Sequence, residues 1–99
     1  MKTVAVSTTS KLKDINFLME PIIDDNAVPR NIRRAISEAK AKIEGEGGDL
    51  DVGIANAIYL LDEISNDINM PSHTRTDVWN LISELEKLKE ELIKTKGMN

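Results

Sequence analysis

Val78, Leu81, Leu85, Leu88 and Leu92 recur at intervals of three, four, three and four residues. That spacing keeps one side of an α-helix apolar over four turns, and no β-strand can use it, because a strand repeats every two residues. A seam this regular lines a helix bundle or a coiled coil. Three shorter stripes precede it. Leu12, Ile15, Leu18, Met19 and Ile22 predict a helix from about Ser10 to Ile23. Ile32, Ala35, Ile36, Ala39 and Ile43 predict a second from about Val28 to Glu44, opened by Pro29. Leu50, Ile54, Ala57, Ile58, Leu61 and Ile64 predict a third, with Asp49 as its N-cap, reaching about Asn66. The seam helix starts between Asn69 and Ser72 and continues to Lys96, with Gly97 as its stop.

Pro21 falls in the last turn of the first helix, where its missing N–H should kink or end it. "GEGG" (45–48) separates the second and third helices. Short connections favour antiparallel neighbours. The expected fold is therefore all-α: an antiparallel four-helix bundle made of two tandem helical hairpins, about 10–44 and 49–96. It forms a single domain over 10–97 behind a flexible N-terminal segment, 1–9. Phe17, Tyr59 and Trp79 are the only aromatics, so the core must be aliphatic.

The chain also echoes itself at an offset of 42 residues. Leu18, Ile22, Asp25, Pro29 and Arg33 fall on Leu60, Ile64, Asp67, Pro71 and Arg75, five identities in the 32 positions from 12–43 against 54–85. The matches lie on core and punctuation residues, as a duplicated hairpin requires, and the period lies in the range of HEAT-type repeats. In both halves an acid late in the first helix, Glu20 or Asp62, lies in register with an arginine early in the second, Arg33 or Arg75. This predicts one acid–arginine clasp per hairpin, in the forked geometry that lysine copies poorly.

"VPRNIRRA" (28–35), "YLLDEISND" (59–67) and "NMP" (69–71) resemble a family of small archaeal proteins, uncharacterised protein family 0147. The resemblance covers roughly residues 10–90. It implies a four-helix, all-helical domain and an archaeal cytoplasm, and it carries over no activity and no catalytic residues. Ile68 stands where a proline often follows "ND" in the family, a departure that touches only the loop shape.

Chemistry is thinly represented. Cysteine is absent, which removes disulfides, thiolate catalysis and cysteine-held metals. His73 is the only histidine, and Asp62, Glu63 and Asp67 are the carboxylates a site around it would use. Their places at a helix end, a loop and a first turn account for them without a site. "GEGG" lacks the lysine and the preceding strand of a phosphate loop. No cofactor, metal or enzymatic role is expected. The "VAV" run at 4–6 is too short for a signal peptide, and no stretch approaches a membrane span, so a cytoplasmic protein is the expectation.

Two surfaces remain as candidates. Arg30 and Arg34 point away from their stripe, and Lys40 and Lys42 extend a basic face on which phosphates of a nucleic acid could sit. Against this, the net charge is −4 from 13 basic and 17 acidic side chains, and no aromatic is interleaved for base stacking. The stronger signal is apolar residues on the wrong side of their helices. Trp79 lies about 150° from the centre of its seam, with Ile82 and Ile93 on its side, and Phe17 and Tyr59 sit nearly opposite their own stripes. A last helix of about 25 residues should also overhang neighbours of about 15 by roughly 15 Å. Leu88, Leu92 and Ile93 would then need cover. These residues predict a protein-interaction module, a homodimer or the receiver of a helical partner, with Trp79, Ile82, Leu88, Leu92 and Ile93 at the interface. Cover of Trp79 by the "VAV" segment is the alternative.

Overall fold

A computed structural model describes residues 6–44 and 49–97. Four α-helices account for most of them: α1 (Val6–Ile23), α2 (Arg30–Glu44), α3 (Leu50–Ile64) and α4 (Ser72–Gly97). Each helix packs on its chain neighbours, and α4 closes back on α1. Among the described residues, the diagonal pairs α1–α3 and α2–α4 do not come within 8 Å between Cα atoms. The result is an up-and-down four-helix arrangement measuring 45 × 20 × 20 Å.

The helix starts and stops follow local chemistry. α1 begins at Val6, four residues ahead of the expected Ser10, so much of the Ser/Thr-rich segment joins the helix. Residues 1–5 of the segment expected to be flexible lie outside the described residues. Pro21 does not end α1, which runs two residues further to Ile23, and the Asp24 N–H still reaches the Glu20 carbonyl at 3.0 Å. α2 starts just after Pro29, whose carbonyl accepts the N–H groups of Ile32 and Arg33, both at 3.1 Å. Asp49 occupies the N-cap position of α3 in extended backbone, but its side chain makes no capping bond. The connection "GEGG" falls outside the described residues.

The stripes read from the sequence meet in one core. Ile15, Met19 and Ile22 come from α1; Ile32, Ile36, Ala39 and Ile43 from α2; Ile54, Ala57 and Leu61 from α3; and Val78, Leu81, Leu85 and Leu88 from α4. Val28 and Met70, in the two hairpin loops, plug the same core. Full burial of one such side chain is worth about 1.5–3 kcal/mol. Leu18 departs from its expected stripe: it is half exposed, because it sits on the α4-facing edge of α1 rather than on the inner line. At Gly53 a Cβ would overlap the backbone oxygen of Lys42, so the glycine permits close approach of α2 and α3.

Core positions recur along the chain. Met19 and Leu61, Val28 and Met70, Ile36 and Val78, and Ile43 and Leu85 are all buried and lie 42 residues apart in each case.

Candidate interaction surface

The hairpin loops fix where the polar side chains stand. In the first, Asp25 accepts the Ala27 N–H on its carboxylate (2.8 Å) and the Val28 N–H on its carbonyl (3.0 Å). In the second, Asp67 accepts the Asn69 N–H (2.8 Å) and the Met70 N–H (3.1 Å) in the same way. The side chain of Asn31 donates to Asp67 at 2.9 Å, tying the start of α2 to the second loop. Both loops therefore lie at one end of the molecule.

The arginines behind these loops brace them, but not through carboxylates. Arg75 donates from Nε to the Ser65 carbonyl (3.1 Å) and from Nη2 to the Asp67 carbonyl (2.8 Å). Arg33 donates from Nε to the Val28 carbonyl at 3.0 Å. The expected pairs Glu20–Arg33 and Asp62–Arg75 are not among the ion pairs of the described residues. The reason is the competition for the guanidinium. Carbonyls past the end of α3 have no helical donor, whereas Glu20 and Asp62 are exposed and solvated, where an ion pair gains little.

α4 differs from expectation in one residue of its interface. Leu88 is 0% exposed and belongs to the core, so it is not available to a partner. Leu92 and Ile82 are partly buried against the same core. The overhang is smaller than expected because α1 starts early and runs beside the end of α4, where Lys11 pairs with Glu91. Trp79 and Ile93 remain 57% and 53% exposed. On a helical wheel Ile82 and Ile93 lie about 60° and 40° from Trp79, so the three share one strip. Phe17 and Tyr59 are more exposed still, as their opposition to their own stripes requires. Of the "VAV" segment expected as alternative cover, residues 4 and 5 lie outside the described residues. Ile68, at 91%, is an exposed apolar residue whose loop position gave no periodic signal.

The remaining candidates are dispersed. His73 is exposed in the first turn of α4. Among the described residues no three His, Asp or Glu side chains come together as a metal site. Asp62, Glu63 and Asp67 are divided between helix end and loop. Arg30, Arg34 and Lys42 are exposed on α2. Lys40 pairs with Glu44 at 2.9 Å, and this hydrogen bond holds its ammonium above the usual lysine pKa. A groove of about 380 Å³ runs between α1 and α4, with Ile15 and Leu18 as its apolar floor and Lys11, Asp14, Asn80 and Glu84 at its mouth. Among the described residues no helix is long and apolar enough to cross a membrane.

Comparison with known proteins gives a consistent lineage. The sequence profile of "Uncharacterised protein family (UPF0147)" matches residues 1–88. A UPF0147 protein of Methanocaldococcus jannaschii is 51% identical over 78 residues, which span 79% of this chain and 84% of that protein. A UPF0147 protein of Sulfurisphaera tokodaii is 43% identical over 81 residues, spanning 82% and 91%. Among solved structures, the crystal structure of unknown function protein MMP1188 superposes with a TM-score of 0.76 at 46% identity, covering 87% of this chain and 96% of that one. A UPF0147 crystal structure from Thermoplasma acidophilum gives 0.79 at 34% identity, covering 85% and 99%.

Proposed function

The chain belongs to uncharacterised protein family UPF0147, a family of unknown function, and we propose that it works in the cytoplasm as a non-enzymatic helical interaction module. Its partner is a second protein offering an apolar helix, or a further copy of the chain. The observation that carries this reading is Trp79. A tryptophan more than half exposed on a helix whose inner face is already filled serves no core. Large aromatic side chains dominate the energetics of protein interfaces. Ile82 and Ile93 prolong the strip, with Glu86 set within it and Lys89 and Glu90 along its two edges as a polar rim.

The test is capture of partners from a native extract, alongside sedimentation of the purified chain. Trp79→Ala is expected to weaken partner capture about tenfold or more while leaving the helical circular dichroism unchanged. Capture at full strength by the variant would overturn the reading.

Phosphate binding by a nucleic-acid accessory protein is the second reading, favoured by the exposed Arg30 and Arg34 and by Lys42. The engagement of Lys40 with Glu44 weakens it. Retention on a polyanion column that falls steeply with salt would support it.

A further inference from the structure

Two contacts fix how the last two helices are turned. Gly53 abuts the Lys42 carbonyl, so that side of α3 faces α2. On a helical wheel Asp62 lies about 180° from Gly53, with Ile58 and Tyr59 about 40° and 60° to either side of it. On α4, Asn80 and Glu84 line the groove with α1. Trp79, Glu86 and Ile82 lie about 120–180° from that line. Both arcs therefore turn away from α1 and α2, onto the outer face that the neighbouring helices α3 and α4 share.

Their levels correspond as well. The bond from Arg75 to the Ser65 carbonyl joins the start of α4 to the end of α3. Asp62 precedes Ser65 by three residues and Trp79 follows Arg75 by four, so each stands about one turn from the loop. Tyr59 and Ile82 stand about one turn further on. Tyr59 is 65% exposed, while Ile58 and Ile82 are partly buried against the core and floor the space between the two aromatics.

The charge around this apolar patch is of one sign. Asp62, Glu63, Glu86 and Glu90 are exposed, and half-buried Lys89 offsets one of them. From Ile43 to Glu86 the only lysine or arginine is Arg75, whose guanidinium is taken up by backbone carbonyls, against ten acids. Glu86 stands inside the strip, so a purely apolar partner would bury its carboxylate unpaired, at a cost. A second copy fits poorly. A twofold contact would set these acids against themselves, which is repulsive. The basic ridge of α2, formed by Arg30, Arg34, Ser37 and Ala41, offers no large apolar side chain to Trp79.

We propose that the α3–α4 face receives a basic amphipathic helix of another protein, its aliphatic ridge on Trp79, Tyr59 and Ile82 and its lysines or arginines on Asp62 and Glu86. A helix of about three turns reaches from the level of Trp79 to that of Glu90. Opposite charge at the rim sets the choice of partner and speeds encounter, while the aromatics hold it. The inference rests on the reading of Trp79 as an interface residue and adds the chemistry of what meets it.

The probe is a designed 14-residue Leu/Lys amphipathic peptide, with a Leu/Glu peptide of the same pattern as its control. Trp79 is the only tryptophan, so its emission reports directly on the face. The Leu/Lys peptide is expected to shift that emission to the blue, and the Leu/Glu peptide to leave it unchanged. With labelled peptide followed by anisotropy, Asp62→Lys with Glu86→Lys should weaken binding at least tenfold. Asp14→Lys with Glu84→Lys makes the same change of net charge on the α1–α4 side and should stay within about threefold of the parent. Circular dichroism checks that each variant keeps its helices. Equal losses in the two charge variants would mean attraction by net charge alone and overturn the proposal. So would failure to bind the Leu/Lys peptide, or equal binding of the Leu/Glu peptide. Loss on Trp79→Ala with no loss on Asp62→Lys and Glu86→Lys overturns the basic partner and leaves the Trp79 reading standing. No loss on Trp79→Ala overturns both. A dimer of the chain alone that Trp79→Ala abolishes would assign the face to a second copy instead.

Discussion

Arg75 spends one guanidinium on two backbone oxygens, those of Ser65 and Asp67, and so holds the loop between α3 and α4 against the start of α4. Arg33 makes a single bond, to Val28, within its own loop. A lysine can follow one acceptor but cannot present two donors in a fixed fork. Arg75→Lys is therefore expected to cost about 1–2 kcal/mol, and Arg33→Lys less than about 1 kcal/mol. Urea unfolding followed by circular dichroism measures both. Equal costs would show that the second bond of Arg75 adds nothing. The register of Arg33 with Arg75 was legible in the sequence, but the acid–arginine clasp read from it is not among the ion pairs of the described residues. The acceptors were not legible. Side-chain identities point to carboxylates, whereas carbonyls that lack a helical donor carry no mark in the residue at their position.

Along α4 the seam of Val78, Leu81, Leu85 and Leu88 was readable because its spacing is set by helix geometry alone. Its cover was not, since that depended on where α1 begins. Ser7, Thr8, Thr9 and Ser10 have modest helix propensity and read as a loose lead-in. They are helical nonetheless, since propensity differences of this size are a weak prior. The ion pair of Lys11 with Glu91 marks the place where that early start meets the end of α4. Leu18 illustrates the opposite error: its spacing fits the stripe of α1, but its angle turns it into the α1–α4 groove. The contrast along one helix can be measured. Leu88→Ala removes a fully buried side chain and should cost about 2–4 kcal/mol, with a clear fall in thermal midpoint. Ile93→Ala, more than half exposed, should stay within about 0.5 kcal/mol of the parent. A large loss at Ile93 in dilute protein would mean that its side chain is covered within the single chain.

At the scale of the molecule, the question is whether each hairpin is a unit. Several buried positions and the two loop hydrogen-bond patterns lie 42 residues apart. Yet the core is one cluster to which all four helices contribute. Ile36 and Ile43 on α2 are buried in the same cluster as Leu81 and Leu85 on α4. In a lone hairpin only one neighbour would remain to each helix, and the inner apolar line would face water. Two helices of 15–26 residues cannot offset that exposure by propensity, since isolated helices of this length are marginal in water. Chains cut within "GEGG" should therefore behave as halves of one domain. The 1–44 and 49–99 pieces are each expected to show weak, non-cooperative helicity when dilute. Equimolar mixing should restore helical signal and a single sigmoidal melt, because the contacts between α2 and α3 and between α1 and α4 need no covalent link. A cooperative melt from either piece alone, as a monomer, would show that a hairpin is complete in itself. It would also move the origin of stability from the shared core to the loop braces of Arg33 and Arg75.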